Sequence, residues 1–420
     1  MTPIYFENLE VGRIDQDGQD HSFRYDERWL ATKGAFPLSL SMPLSDQSYD
    51  HDMLMPWLIN LLPEGDNLQT LSRNLRVSPL DVFSVLERIG HDVAGAFSIG
   101  QPILRDDWDC RVIPNDSALE KIIQELPLKP FLAGDDRVSM SLAGVQEKLP
   151  LVMIDTETLA VPLNGMPSTH ILKPDTETLF GSVQNEALCL VLAGRCNLNA
   201  AEVTTGIAGE RSYLLVSRYD RHIDHREGGG RLIRRIHQED FCQVLSRMPA
   251  EKYEQNSTGR PGPGLTDFFG FIKENLTAGD TIALLDAVIF NILICNTDSH
   301  AKNYSFLIDG EGVRLAPLYD LLCAKEWGHV TQSHPQNVSD QNRGEHIRSR
   351  HWRRFAESCG MNETMVVERV RSLVDTVLSE TVGAEQDVLT MPAGGHVMLG
   401  RFREAIEARC RTVNVNLQYD

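Results

Sequence analysis

The sequence has no long hydrophobic run and no leader-like amino terminus. No stretch of its 420 residues approaches the roughly 18 consecutive apolar residues that a membrane-spanning helix requires. The first residues lack the basic region and the apolar region that together make up a signal peptide. The sequence therefore predicts a soluble, cytoplasmic protein.

Paired cysteines and a basic surplus are also absent. The eight cysteines are dispersed, with no C-x-x-C motif and no paired Cys/His cluster, which favours buried reduced thiols over a disulfide framework or a zinc site. The formal net charge is −19. Because nucleic-acid binding requires a basic surface that neutralises phosphates, a chain this acidic is a poor candidate for binding DNA or RNA by itself.

Hydrophobic periodicity and Pro/Gly punctuation divide the chain into four parts. Its 42% apolar content supports sizeable cores in two or three domains. We predict a small α+β subdomain over residues 1–105, a charged connection over 106–136, a lobe over 137–245 and a mainly helical lobe over 246–420. Within the first part, the pattern predicts strands over 38–44 and 93–99 and helices over 53–62 and 79–89.

The segment that carries the most chemical information runs from Asn296 to Asn303. Asp298 and Asn303 have the D-x-x-x-x-N spacing of a kinase catalytic loop, in which the Asp accepts the substrate hydroxyl proton and the Asn holds Mg²⁺. Asp320 could supply the second metal-binding carboxylate. A predicted helix over 282–295 and predicted strands over 304–308 and 313–318 surround the motif. Taken alone, the motif is equally compatible with a surface turn that contains a hydrogen-bonded Asp.

A phosphoryl-transfer site also needs a phosphate-binding loop and a cation at the phosphates. In the turn over residues 141–148, Ala143 and Gly144 would let backbone N–H groups approach an anion, although an ordinary turn fits the same residues. Lys173 ends a predicted strand over 170–174, with Glu186 as its candidate helical partner; the alternatives are a solvated lysine and a surface glutamate. Residues 237–243 fall where an adenine-binding hinge belongs, or form an acidic helix amino terminus. The joint order of these segments favours a phosphoryl-transfer site.

Five short motifs follow one another in that order: SLAGVQEK (141–148), THILKP (169–174), QEDFCQ (238–243), DSHAKN (298–303) and PLYD (317–320). Together they resemble the HipA family of bacterial serine/threonine kinase toxins. The first hundred residues are similar to that family's amino-terminal subdomain, notably in LLPEG (61–65) and GHDVAG (90–95). The resemblance covers nearly the whole chain and implies an α+β, two-lobed protein-kinase-like fold with a mainly helical carboxy-terminal lobe.

The resemblance also implies roles for individual residues, with ATP and Mg²⁺ as cofactors. Asp298 would be the catalytic base, and Asn303 and Asp320 would hold Mg²⁺. The implied phosphate loop consists of Ala143, Gly144, Val145, Gln146, Glu147 and Lys148, and Lys173 is the implied strand lysine. The implied adenine-binding hinge contains Glu239, Asp240 and Phe241. The rest of the implied pocket consists of His300, Lys302 and Tyr319.

Ser141 matches the serine that members of the family autophosphorylate, and Ser139 is a second candidate two residues upstream. A phosphoserine adds nearly two negative charges to a loop whose amides must receive the ATP phosphates. We therefore expect the phosphorylated loop to be held elsewhere by basic side chains, leaving the ATP pocket open.

The family resemblance implies the toxin half of a toxin–antitoxin pair. The implied partner is a HipB-like DNA-binding antitoxin, so that DNA is contacted only indirectly, and the implied substrates include aminoacyl-tRNA synthetases. The chain departs from the family at the polar segment 331–337. The basic cluster over 343–354 predicts a solvated or ion-paired helix start, with phosphate contacts as the alternative.

Two other functions stay open from the sequence. One is a kinase-like binding module that mainly holds the antitoxin, and the other is a small-molecule kinase, an analogy at the level of the fold. Phosphorylation of Ser141 distinguishes them from a protein kinase, because an enzyme that modifies its own serine already accepts a protein hydroxyl.

Overall fold

A computed structural model describes residues 1–17, 20–102, 109–225 and 231–419. A small amino-terminal α+β subdomain, a β-rich lobe and a mainly helical lobe follow one another, which is the two-lobed α+β arrangement that the sequence predicts. Within these ranges, no helix has the length and apolar character needed to cross a bilayer. The predicted boundary between residues 105 and 106 lies outside the described residues.

The amino-terminal subdomain is built on a four-stranded antiparallel sheet. Helix α1 packs on strand β2, and helix α2 packs on β3. The strand order is β3-β2-β1-β4. The first three strands were not predicted; in the β1–β2 pair, a register shift between Ile4 and Tyr5 interrupts the alternation that identifies a strand. The elements are β1 (Thr2–Phe6), β2 (Leu9–Asp17), β3 (Asp20–Tyr25), α1 (Glu27–Leu30), α2 (His51–Ile59), α3 (Gly65–Leu75), α4 (Val82–Ile89) and β4 (Phe97–Ile99).

The strand predicted over residues 38–44 does not form. Leu38 and Met42 are buried, as the alternation predicts. However, the N–H of Leu38 donates to the hydroxyl of Tyr25 at 2.7 Å, and the N–H of Leu40 donates to Oε2 of Glu239 at 2.8 Å. Side chains, and not a neighbouring strand, accept hydrogen bonds from these N–H groups. The alternation of apolar and polar residues over 38–44 therefore reflects which side chains are buried and does not indicate a paired strand.

The β-rich lobe contains a six-stranded antiparallel sheet in the order β5-β7-β6-β8-β10-β9. Helix α6 packs against β9 and β10 and also against the long helix Glu363–Leu389 of the helical lobe, so that it contacts both lobes. The elements are β5 (Cys110–Val112), α5 (Asp116–Glu125), β6 (Leu149–Met153), β7 (Leu159–Pro162), β8 (His170–Pro174), α6 (Ser182–Arg195), β9 (Val203–Ala208), β10 (Arg211–Ser217), β11 (Arg221–His225) and β12 (Arg231–Arg235).

A three-stranded antiparallel sheet, β13-β14-β15, joins the hinge segment to the helical lobe. Helix α9 begins with a capping box of Thr277 and Asp280, and residues 255–264 form no helix or strand. The elements are β13 (His237–Asp240), α7 (Phe241–Val244), α8 (Leu265–Asn275), α9 (Ala278–Leu293), β14 (Ser305–Asp309), β15 (Gly312–Leu315), α10 (Ser349–Ser358), α11 (Glu363–Leu389) and α12 (Leu399–Asn416).

Two smaller predictions agree with the structure. The eight cysteines are free, and all are buried except Cys110, which is half-buried. The basic cluster leads into helix α10, with Arg343 and Glu345 forming an ion pair at 2.8 Å. This arrangement matches the solvated or ion-paired helix start predicted for the cluster.

A buried ionic cluster fixes the amino-terminal subdomain to the β-rich lobe. Asp92, from the GHDVAG segment, accepts a 2.9 Å hydrogen bond from Arg221 and lies 3.6 Å from Arg218 and 3.4 Å from Arg235. Asp220 accepts from both Arg218 and Arg221 at 2.7 Å. The three guanidinium groups hold the pKa values of both carboxyls below their usual range, although burial alone would raise them.

Candidate active site

The D-x-x-x-x-N motif lies just after helix α9 and faces a cleft between the lobes. Nδ2 of Asn296 donates to Oδ1 of Asn291 at 2.8 Å, while its Oδ1 accepts the N–H of Asp298 at 3.1 Å. Nδ2 of Asn303 donates to the backbone oxygen of Asp298 at 2.7 Å. These bonds fix the loop from within and leave the Asp298 side chain 51% exposed, so that its carboxylate can meet a substrate.

Two ring side chains flank the carboxylate of Asp298. The Tyr253 hydroxyl donates to its Oδ1 at 2.6 Å, and Nε2 of His300 lies 4.0 Å from the same oxygen. Burial, together with the adjacent carboxylate, raises the pKa of Tyr253, so its hydroxyl stays protonated and donates. Burial lowers the pKa of His300 to about 4, so this imidazole is neutral at neutral pH.

Lys173 holds two carboxylates from opposite sides of the cleft. Its Nζ lies 2.6 Å from Oε1 of Glu186 on helix α6, and it also contacts the carboxylate of Asp320. Burial alone would lower the pKa of Lys173, but the two carboxylates outweigh it and raise that pKa. Burial opposes ionisation of Asp320 as well, yet the cations of Lys173 and Lys148 lower its pKa to about 2.

Asp320 has a left-handed backbone conformation, with φ of +51°. An Asp tolerates this region better than most residues, but such conformations persist mainly where the surrounding structure enforces them, often at functional sites. Its carboxylate is thereby brought against the Lys173–Glu186 pair. Protein kinases use the same types of side chain, a lysine–glutamate pair and a separate metal-binding aspartate.

The predicted phosphate loop folds over the same cleft. Gly144 has φ of +104°, and a Cβ at this position would lie 3.0 Å from Nζ of Lys148. Lys148 donates to the backbone oxygen of Ala143 at 2.6 Å, and burial lowers its pKa to about 8. The loop residues that line the cleft are Leu142, Ala143, Gly144, Val145, Gln146 and Lys148; Glu147 is half-buried and lies outside this lining.

Tyr319 and Lys302 are linked to each other on the floor of the cleft. The Tyr319 hydroxyl donates to the backbone oxygen of Lys302 at 2.5 Å and shares a 2.6 Å hydrogen bond with Ser305. The Lys302 ammonium is buried and lies 3.0 Å from Oε1 of Glu64. Both predicted residues therefore belong to the cleft, with a carboxylate of the amino-terminal subdomain beside them.

At the hinge, alternate residues of β13 face opposite sides. Gln238 and Asp240 line the cleft. Glu239 points instead towards Leu40, and Phe241, which follows the strand, stacks on Phe268 with ring centroids 3.9 Å apart. The structure therefore places Asp240 at the cleft but puts the side chains of Glu239 and Phe241, expected to meet adenine, outside it. The period of two along a strand could have identified Gln238 in their place.

The two candidate phosphorylation sites differ in accessibility. Ser141 is fully buried, and its hydroxyl donates to the backbone oxygen of Leu61 at 3.2 Å. Ser139 is half-buried and accepts a 3.4 Å hydrogen bond from the N–H of His91. Both serines lie against the amino-terminal subdomain.

Several cleft residues were not predicted. Ile171, Val216 and Leu322 give the cleft an apolar wall. The position of Ile171 could have been inferred, because it lies two residues before Lys173 on one strand and therefore on the same face. Other unpredicted lining residues come from the amino-terminal subdomain or from an irregular segment without a periodic signal: Asn60, Glu64, Lys252 and Tyr253.

The residues of this cleft of about 240 Å³ suit a nucleotide. Its apolar wall fits a planar base, Lys148 and Lys173 fit phosphates, and Nδ1 of His300 is buried without a hydrogen-bond partner. Among the described residues, no three His, Cys, Asp or Glu side chains are grouped to hold a metal ion. Asn303 and Asp320 alone still suit Mg²⁺, which is commonly bound through one or two protein ligands together with substrate phosphates.

Comparison with known proteins gives matches along nearly the whole chain. The model of the HipA N-terminal domain matches residues 2–100, and that of the HipA-like C-terminal domain matches residues 140–381. "Putative kinase Y4mE" of Sinorhizobium fredii is 34% identical over 99% of this chain and 98% of its own length. "Serine/threonine-protein kinase toxin HipA" of Shewanella oneidensis is 28% identical over 90% of this chain and 88% of its own length.

A solved structure gives the same result at the level of the fold. HipA in a Shewanella oneidensis MR-1 complex of HipA, HipB and operator DNA matches with a TM-score of 0.85 and 26% identity, over 99% of this chain and 98% of that chain. Because the C-terminal model alone matches more than half of the residues and a relative above 30% identity spans nearly all of them, the chain belongs to the HipA family.

Proposed function

We propose that this protein is an ATP- and Mg²⁺-dependent serine/threonine protein kinase and the toxin of a HipA/HipB-like toxin–antitoxin pair. The observation that carries the proposal is the placement of Asp298 in the same cleft as the buried Lys173–Glu186 pair and Asp320. The names of two relatives, a putative kinase and a serine/threonine-protein kinase toxin, support the same reaction class.

The cleft residues would bind and orient the nucleotide. ATP would supply the transferable γ-phosphoryl group, and Mg²⁺, which Asn303 and Asp320 would hold, would neutralise charge on its phosphates. Lys148 and Lys173 would contact the phosphates beneath the phosphate loop. An anion beside Lys148 would favour its charged form and oppose the effect of burial on its pKa.

Asp298 would accept the proton of the attacking serine or threonine hydroxyl. Its half-exposed carboxylate is held by the Tyr253 hydroxyl on one oxygen. The neutral His300 ring beside it does not compete as an acid at neutral pH. In this reaction class, the contribution of the protein is mainly positioning and stabilisation of charge.

Ser141 is the proposed site of autophosphorylation, with Ser139 as the alternative. Complete burial of Ser141 supports a self-limiting role, because a phosphate cannot occupy the space between its hydroxyl and the oxygen of Leu61. The phosphorylated loop would have to leave its place over the cleft. Basic side chains elsewhere would then hold it, and the nucleotide pocket would stay open.

The proposed partner is a HipB-like DNA-binding antitoxin. The structural relative is part of a complex with HipB and operator DNA. The net charge of −19 supports indirect contact with DNA, since a basic partner would supply the phosphate contacts. The proposed substrate is a protein serine or threonine, such as one in an aminoacyl-tRNA synthetase.

Intact-mass analysis with phosphosite mapping tests the reaction. Dephosphorylated protein is incubated with ATP and Mg²⁺ beside Asp298→Ala, Asp320→Ala and the control Asp375→Ala, which alters an exposed residue of helix α11. We expect one added phosphate at Ser141 or Ser139 in the wild type and the control, and none in the two site variants, with all four proteins folded by circular dichroism.

Two results would count against the proposal. Phosphate incorporation in both site variants would remove the site assignment. No incorporation in wild-type protein that binds ATP would favour the binding module or a small-molecule kinase instead.

A further inference from the structure

The carboxylate of Glu64 enters the cleft from the amino-terminal subdomain. Its Oε2 lies 2.7 Å from Nζ of Lys252, and its Oε1 lies 3.0 Å from Nζ of Lys302. The three side chains are only 17%, 10% and 4% exposed. Burial alone would raise the pKa of Glu64, but the two lysines lower it to about 2, so the carboxylate is ionised throughout the working pH range.

The backbone of the same residue holds the other side of the cleft. The N–H of Glu64 donates to the backbone oxygen of Gly144 in the phosphate loop at 3.1 Å. Nearby, Nδ2 of Asn67 donates to the backbone oxygen of Val145 at 2.6 Å. One residue of the amino-terminal subdomain therefore contacts both the phosphate loop and the lysine that precedes Asn303.

Removing the carboxylate would leave two buried ammonium groups facing each other. Lys252 and Lys302 both lie within hydrogen-bonding distance of Glu64, and the Lys302 ammonium also donates to the backbone oxygen of Asn60 at 3.4 Å. Repulsion between like charges in a poorly solvated space is strong. Because Lys302 lies between Asp298 and Asn303 in the catalytic loop, its displacement would disturb the base and the metal ligand together.

We propose that Glu64 is a positioning residue through which the amino-terminal subdomain aligns the phosphate loop with the catalytic loop for phosphoryl transfer. The inference rests on the proposed kinase function. In this arrangement the amino-terminal subdomain is part of the catalytic unit. The side-chain carboxylate of Glu64 affects the rate of phosphoryl transfer because it positions Lys302. The backbone N–H of Glu64 positions the phosphate loop, and a side-chain substitution leaves this N–H in place.

The test uses the full chain and its own autophosphorylation with ATP and Mg²⁺, followed by intact mass over a series of ATP concentrations. Glu64→Gln removes the charge, and Glu64→Asp keeps it but shortens the side chain. The matched control is Glu10→Gln, because Glu10 is also in this subdomain, is 11% exposed and pairs with two cations, Arg13 and Arg28, and none of the three lines the cleft.

We expect Glu64→Gln to lower the maximal rate by roughly tenfold or more, while the ATP concentration at half-maximal rate changes by less than about threefold. Glu64→Asp should lower the maximal rate by about threefold, because the shorter carboxylate cannot reach both lysines. Glu10→Gln should leave both parameters unchanged.

A residue that only stabilised the fold would lower the melting temperature without changing the maximal rate of the folded fraction. A maximal rate within about twofold of wild type in Glu64→Gln, or in Glu64→Asp if the first variant does not fold, overturns the positioning role. If the wild type itself incorporates no phosphate, the proposed kinase function fails first and the positioning role fails with it.

Discussion

At the scale of single residues, Glu239 couples folding to pH. Burial raises its pKa from an ordinary value of 4.5 to about 8. A carboxyl whose pKa is raised on folding binds its proton more tightly in the folded state, so the free energy of unfolding falls as pH rises between these two values. At one pKa unit per 1.36 kcal/mol, the loss has an upper limit of roughly 5 kcal/mol.

Glu239→Gln should remove this pH dependence, because the amide oxygen can still accept the N–H of Leu40 but cannot ionise. We expect the variant to match the wild type near pH 5 and to exceed its free energy of unfolding by a few kcal/mol near pH 9. Urea denaturation of both proteins at several pH values measures the difference. Equal curves at every pH would contradict the buried, proton-binding state of Glu239.

The hinge also illustrates what a residue-level prediction from sequence can miss. The motif that contains Glu239 and Phe241 correctly located the segment between the lobes, but motif membership does not specify which side of a strand a residue occupies. The alternation of β13 places Gln238 and Asp240 at the cleft. Asp240 is itself perturbed there, because burial raises its pKa to about 6.

At the scale of structural elements, the phosphate loop depends on a glycine. Gly144→Ala would force a side chain into φ of +104° and place its Cβ 3.0 Å from Nζ of Lys148. The strain should amount to about 1–3 kcal/mol and should displace the loop from the cleft. We expect the affinity for ATP, measured by calorimetry, to fall by roughly tenfold.

Gly34→Ala is the matched control for this substitution. Gly34 also has a positive φ, of +81°, but nothing lies within 4 Å of its added Cβ and it is exposed in the amino-terminal subdomain. The Gly34→Ala variant should lose a similar amount of stability but keep the wild-type affinity for ATP. If both variants bound ATP equally well, the loop conformation would not contribute to nucleotide binding.

Elements with a regular pattern were predictable, and irregular ones were not. The strand over 170–174 and the helix before the catalytic loop follow directly from apolar periodicity, and both form. The strand predicted over 38–44 does not form because the backbone N–H groups of Leu38 and Leu40 donate to the side chains of Tyr25 and Glu239 instead of to a neighbouring strand. The segment that carries Lys252 and Tyr253 had no periodic signal, so its place beside Asp298 depends on tertiary packing alone.

At the scale of the whole molecule, the predicted α+β, two-lobed HipA-like fold is confirmed by a match at a TM-score of 0.85 over 99% of the chain. The resemblance covered the amino-terminal subdomain as well, but the sequence contained no sign that this subdomain reaches the catalytic loop. Glu64 and Lys302 are 238 positions apart, and contacts at such separations have no local signature in a single sequence. The proposed kinase site is therefore recognised from short sequence motifs, but it is assembled by contacts between residues that lie far apart in the sequence.

A substitution at Asp92, in the buried ionic cluster, tests the role of these long-range contacts without altering a residue that lines the cleft. Asp92 offsets three buried guanidinium groups, and its backbone oxygen also accepts the N–H of Ser141, the first residue of the phosphate loop, at 3.0 Å. Asp92→Asn would leave Asp220 to balance all three cations. Because breaking a buried ionic network strands uncompensated charge, we expect a loss of about 3–5 kcal/mol in the free energy of unfolding.

The same substitution should also reduce autophosphorylation in the folded fraction, since the subdomain that carries Glu64 would no longer be held against the β-rich lobe. Asp136→Asn is the control: its side chain is 96% exposed, and it should change stability by less than about 0.5 kcal/mol. Denaturant unfolding and phosphate incorporation, measured on the same samples, separate the two effects. Lower stability with a normal rate of autophosphorylation would show that the cluster only stabilises the fold. A reduced rate at temperatures where the variant is fully folded would show that catalysis requires docking of the amino-terminal subdomain.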